Sequence, residues 1–207
     1  MEMRAKQILG MLMATLVLAC GTMTAQDVTT LPIKEEQHLY EMVAEFINNG
    51  AANHQFGYLA DVAGLNSIFS STTTKNETTA SFTFVVDARA FQVFNHGGVR
   101  ITDRIGTCTI YLNNGPSDFN NPASFSQGTP IQVSTYRQTV LVNTQTNTFT
   151  SSNTHTITDV ATFNLNGVNY RLGQVGKQFR STYLGVVNVN QPPLVTGWFA
   201  AETIGMK

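Results

Sequence analysis

Charge is what this chain has least of. Only 12% of its 207 residues are charged, 12 Lys or Arg against 13 Asp or Glu, and the formal net charge is −1. That is about half the charged share of an ordinary soluble domain. With no basic run present, nucleic acid and anionic membrane surfaces are poor partners. Cysteine is scarcer still. Cys20 and Cys108 are the whole complement, too few for a disulfide framework or a paired-cysteine zinc site. The sequence has no HExxH, no G-x-S-x-G and no complete phosphate loop. GQVGK, residues 173–177, lacks the earlier glycine of such a loop and reads as a turn. His96-Gly97-Gly98, without a nucleophile elbow elsewhere, reads as hairpin chemistry. The histidines, His38, His54, His96 and His155, are scattered along the chain, so neither a metal site nor a cofactor is implied.

Long apolar runs are missing as well. The longest, Ile8 to Ala19, is shorter than the roughly 20 residues that cross a bilayer as a helix. Arg4 and Lys6 precede it, and small residues follow as far as Ala25. This is the layout of a secretory signal peptide, so residues 1–25 are expected to be removed and the mature protein to be secreted or periplasmic, with no transmembrane span. A competing cut exists. Val17-Leu18-Ala19-Cys20 resembles a bacterial lipobox, although Leu18 is larger than usual there; this processing would leave Cys20 lipidated at the cell envelope. If the cut follows Ala25, Cys108 is a lone thiol. It shares a strand face with Ile110 and Leu112 and is expected to be a buried core residue.

What the chain does have is Thr, Asn, Ser and Gln. Branched Thr fits an extended, half-buried backbone, and Asn with Gly suits tight turns. One helix is expected, over residues 34–48. There Leu39, Met42, Val43, Phe46 and Ile47 recur at helical spacing, with Glu35 and Glu36 at the start and Asn49-Gly50 at the end. After it, period-two alternation dominates. Phe56, Tyr58, Ala60 and Val62 read as one apolar strand face. Hairpin turns are expected at residues 96–98 and 144–147 and at Asn166-Gly167, the strongest short turn signal. Residues 113–130, rich in Gly, Pro and Asn, are too long for an ordinary connection and read as a lid or binding loop.

Counted this way there are about eight strands, several of them long and joined by short turns. The expected fold is all-β: a single antiparallel up-and-down barrel with one N-terminal amphipathic helix. A two-sheet sandwich is the alternative. The expected organisation is a signal peptide over 1–25, a helix-bearing segment over 26–54 and the barrel over 55–207. Charges inside strand patterns, among them Asp87, Arg89, Arg104 and Glu202, must be paired or hydrated if they face a barrel interior. On that argument Arg137, Tyr183, Trp198, Asp159 and His155, with Phe119 and Phe125 from the long loop, are the candidate ligand-binding residues. Tyr136 and Arg137 point to opposite faces, so at most one lines the interior. Asp159 is expected on the same face as His155.

Three functions fit this pattern. The leading one is a non-enzymatic exported barrel that binds a small, mostly apolar ligand. The second is a barrel cyclase or isomerase, which needs a convergent polar group of perturbed pKa inside the pocket, such as Glu202 or Asp159. The third is a surface or structural protein without a ligand.

Overall fold

The computed structural model describes residues 27–188 and 194–207. The leader, Cys20 and residues 189–193 lie outside the described residues. Eight antiparallel strands close into a barrel. They are β2 (His38–Asn49), β3 (Ala52–Val62), β4 (Phe82–His96), β5 (Val99–Leu112), β6 (Thr129–Asn143), β7 (Thr148–Val160), β10 (Gln178–Asn188) and β11 (Leu194–Gly205). Each pairs with the next, and β11 returns to β2 to seal the cylinder. Between β7 and β10 the chain leaves the wall to form β8 (Phe163–Leu165) and β9 (Val168–Leu172), and β9 pairs in parallel with β1 (Val28–Leu31). Asn166 and Gly167, at φ 52° and 84°, make the two-residue turn between β8 and β9, since such turns need both central residues left-handed.

The expected helix is a strand. Residues 38–49 form a barrel stave, and Glu36 at φ 55° sits in a turn whose backbone N–H bonds Gly205 O at 3.0 Å. The physical reason lies in what covers β2. Tyr40, Met42, Ala44 and Phe46 face the core, while Val43 and Ile47 on the outer side are half-buried. A strand with some hydrophobes on each face, here Val43 and Ile47 set between Glu41 and Glu45 on the outer one, places them at helical as well as alternating spacing. A register shift at Glu41/Met42 blurs the period further.

The interior is layered. At one end the small sheet plugs the barrel: Leu31, Ile33, Phe163 and Leu172 pack on Tyr40, Met42, Phe82 and Ile110 in one buried cluster. Gln132 ties plug to wall, its Nε2 donating to Leu172 O at 2.8 Å and to the Tyr40 hydroxyl at 3.1 Å. Cys108 lies in this cluster as a free, buried thiol, in accord with its place on the face of Ile110. Above the apolar layer the interior turns polar, and above that the barrel opens.

The long loop clamps the outer wall rather than the mouth. Its Phe125 is buried against Phe56 and Val85, which point outward from β3 and β4, and Thr83 Oγ1 donates to Phe125 O at 2.7 Å. The Phe56–Tyr58 face is therefore the outside of the barrel, made apolar because a loop covers it. Beyond Ala90, β4 outruns β3 and has no partner on that side, so Phe91 and Phe94 stand in solvent. No helix among the described residues is long and apolar enough to cross a membrane.

Candidate functional site

The open end holds a pocket of about 390 Å³. Its walls come from the upper turns of the staves. Phe46, Phe149 and Phe199 form an aromatic rim, with Phe46 and Phe149 edge to face at 5.6 Å. Val140, Val142, Val187 and Val195 complete the apolar lining. Gly185 and Gly197 let these rings lie flat on the wall; a Cβ at Gly197 would fall 2.6 Å from Phe46, and one at Gly185 2.5 Å from Phe149.

The floor is a closed ring of hydrogen bonds across five staves. Arg104 on β5 donates to Gln138 Oε1 at 2.9 Å. Gln138 donates to Ser151 at 3.0 Å, and Ser151 to Asn153 Oδ1 at 2.8 Å. Asn153 Oδ1 also accepts from the Tyr136 hydroxyl at 3.0 Å, which in turn accepts from Gln55 Nε2 at 3.0 Å. Gln55 donates to Asn53 at 2.7 Å, Asn53 to Asn48 at 2.8 Å, and Arg104 closes the circle onto Asn48 Oδ1 at 3.3 Å. These residues reach one layer because alternate positions share a face: Arg104 lies four residues from Cys108, and Gln138 two from Tyr136.

The ring leaves polar atoms over. Among the described residues, the buried side-chain atoms with no hydrogen-bond partner are Gln55 Oε1, Arg104 Nε and the Tyr183 hydroxyl, and all three residues line the pocket. The Tyr183 hydroxyl does stand beside Tyr136 and Ser181, and burial pushes its pKa up. Buried polar atoms are paired in most structures, and an orphan calls for an explanation. Among the described lining residues only Arg100 and Arg104 carry charge. Burial draws the Arg104 pKa below the ordinary guanidinium value; the nearby Tyr136 opposes that shift and the like charge of Arg100 adds to it.

The residues singled out in the sequence fall into three places. Tyr183 lines the pocket. His155 lies beneath the floor, fully buried and stacked on Phe179 at 4.2 Å, with Nδ1 3.3 Å from Ser134 Oγ and Nε2 3.0 Å from Ser181 Oγ. Burial lowers its pKa to about 3, so it is neutral, and among the described residues its ring nitrogens meet only serine hydroxyls. The others lie outside. Arg137 is exposed, opposite in facing to buried Tyr136. Asp159 is exposed because the register slips between Val133 and Ser134, a bulge that turns Asp159 away from the face of His155. Phe119 packs between Phe125 at 4.8 Å and Trp198 at 4.6 Å on the outer wall, where Trp198 is 41% exposed. Glu202 is exposed as well.

Among the pocket residues outside the candidate set are Arg104, named only as a charge within a strand, and Gln138, Gln55 and Asn53. Their signal was present for Arg104: alternation carried back from Cys108 through Gly106 puts it inward on an unbroken stretch of β5. Among the described residues no three of His, Cys, Asp and Glu gather as metal ligands. Fold and site together define a closed eight-stranded antiparallel barrel with a polar-floored pocket at one end. Compared with protein-family models, curated proteins and solved structures, the chain finds no match.

Proposed function

We propose that this protein is an exported, non-enzymatic barrel that binds a small, mostly apolar molecule in its open-end pocket. One observation carries the reading: phenyl and valine walls enclose about 390 Å³ above a floor with leftover donors and acceptors. Small-molecule sites have this composition, apolar walls with a few polar groups that orient the ligand, in volumes of roughly 300–1,000 Å³. The ring rigidifies those groups in advance, which lowers the ordering cost of binding. The basic and apolar leader at the N-terminus supports export. Outward-facing Asp87, Arg89 and Arg137 suit a barrel wall in water, since a lipid-facing charge costs about 2–4 kcal/mol near mid-bilayer. The cyclase or isomerase reading named Asp159 and Glu202 as its pocket groups, and both are exposed.

Native mass spectrometry of protein purified from its own host tests the proposal. The expected spectrum carries a small-molecule adduct that Val140→Trp, which fills the pocket from β6, removes while the barrel still folds. A bare-chain mass, together with an unchanged Tm in the presence of the anionic aromatic dye anilinonaphthalene sulfonate, would overturn it.

A further inference from the structure

We propose that the ligand head group is a carboxylate with a hydroxyl or amide N–H beside it, read by Arg104 and Gln55. This rests on the pocket reading above and adds the chemical class of what enters.

The argument begins with an arginine, because a guanidinium has only donors. Arg104 therefore fixes the orientation of every amide around the ring. Gln138 and Asn48 must turn their oxygens to it. Asn53 must then turn its nitrogen to Asn48 and its oxygen to Gln55. Gln55 must in turn present its nitrogen to Asn53 and Tyr136. Its oxygen is left over, in a side chain only 2% exposed on the pocket lining, with no partner. That oxygen is a pure acceptor and asks the ligand for a donor.

Arg104 asks for the opposite. Its two terminal nitrogens meet neutral oxygens, its Nε has no partner, and no described carboxylate lines the pocket. Arg100 lies four residues away on the same face of β5 and brings a second positive charge to the wall. A half-desolvated guanidinium without a counter-charge is costly, and an anion offsets both charges through short, charge-assisted bonds. A phosphate monoester fits less well, since its oxygens are all acceptors at neutral pH except for one residual proton, and would crowd Gln55 Oε1. A hydroxy-carboxylate or an N-acyl amino acid supplies acceptor and donor together, with its apolar tail along Phe149, Phe199 and Val140.

Calorimetric titration of the purified protein with decanol, decanoate, 3-hydroxydecanoate and decyltrimethylammonium tests this. Decanoate is expected to bind about tenfold tighter than decanol, as a charge-assisted bond implies. 3-Hydroxydecanoate should gain a further several-fold from Gln55 Oε1. Decyltrimethylammonium should not bind. Arg104→Met should abolish the preference, bringing the decanoate-to-decanol affinity ratio down to about one. Should that variant fail to fold, the native protein still decides the matter: added salt should weaken decanoate and spare decanol. Equal affinity for decanol and decanoate, or the same salt response for both, overturns the head-group assignment and leaves the pocket reading standing. No binding of either probe overturns the reading beneath it.

Discussion

Lowering the pH from 7 to 5 should cost this protein about 2 kcal/mol of stability through His155 alone. The imidazole is fully buried, stacked 11° from parallel on Phe179, and hydrogen-bonded to two serines. Burial holds its pKa at about 3 against the ordinary 6.5. Between those values the unfolded chain binds a proton that the folded chain refuses. Stability is therefore complete above the unfolded value and falls as pH drops through the window. Each unit is worth about 1.4 kcal/mol, and pH 5 lies about one and a half units inside. Urea denaturation at pH 7 and pH 5 measures the loss. Other groups titrate too, so the comparison is with His155→Gln, which lacks the ionising ring. The native protein should lose about 2 kcal/mol more than the variant over the same interval. Parallel losses in the two proteins, or a resonance assigned to the His155 imidazole titrating in the folded state near pH 6, would refute the reasoning.

Phe125→Ala removes the ring that seats the long loop on Phe56 and Val85, and should cost about 3–5 kcal/mol by urea denaturation. The same change should shift the emission of Trp198, the one tryptophan, because Phe119 at 4.6 Å loses its backing; a cost below about 1 kcal/mol would mean the loop is not anchored there. Cys108, whose thiol burial pushes up to about 12, should resist alkylation in the folded protein and label only on unfolding, as read by peptide mass mapping. Rapid labelling of the folded chain would mean that the barrel opens at β5.

The closed barrel was legible because long strands meet at turns with strong local chemistry, such as Asn166-Gly167. The first stave was not, because β2 places hydrophobes toward both the core and the outer wall, and their spacing imitates a helix. The site was hardest to see for a related reason. On β3 the inward residues are Asn53 and Gln55 and the outward ones Phe56 and Tyr58, the reverse of the pattern that alternation is read by. Polar side chains inside pair with one another, and the loop that hides the outer aromatics is distant in sequence. Asp159 was displaced by a bulge that no periodicity announces. Arg104 was within reach, since it follows from Cys108 by counting in twos.

The hydrogen-bonded ring at the barrel's waist also bears on how the chain folds. Its members come from β2, β3, β5, β6 and β7, and the bond between Gln55 and Tyr136 spans 81 residues of sequence. A half-assembled sheet would hold some of these amides away from both water and their partners, which is costly. Partial barrels are thereby penalised, and contacts so remote in sequence form slowly. The ring favours cooperative closure, since Gln55 on β3 and Tyr136 on β6 are not neighbours in the wall and meet only across the closed barrel.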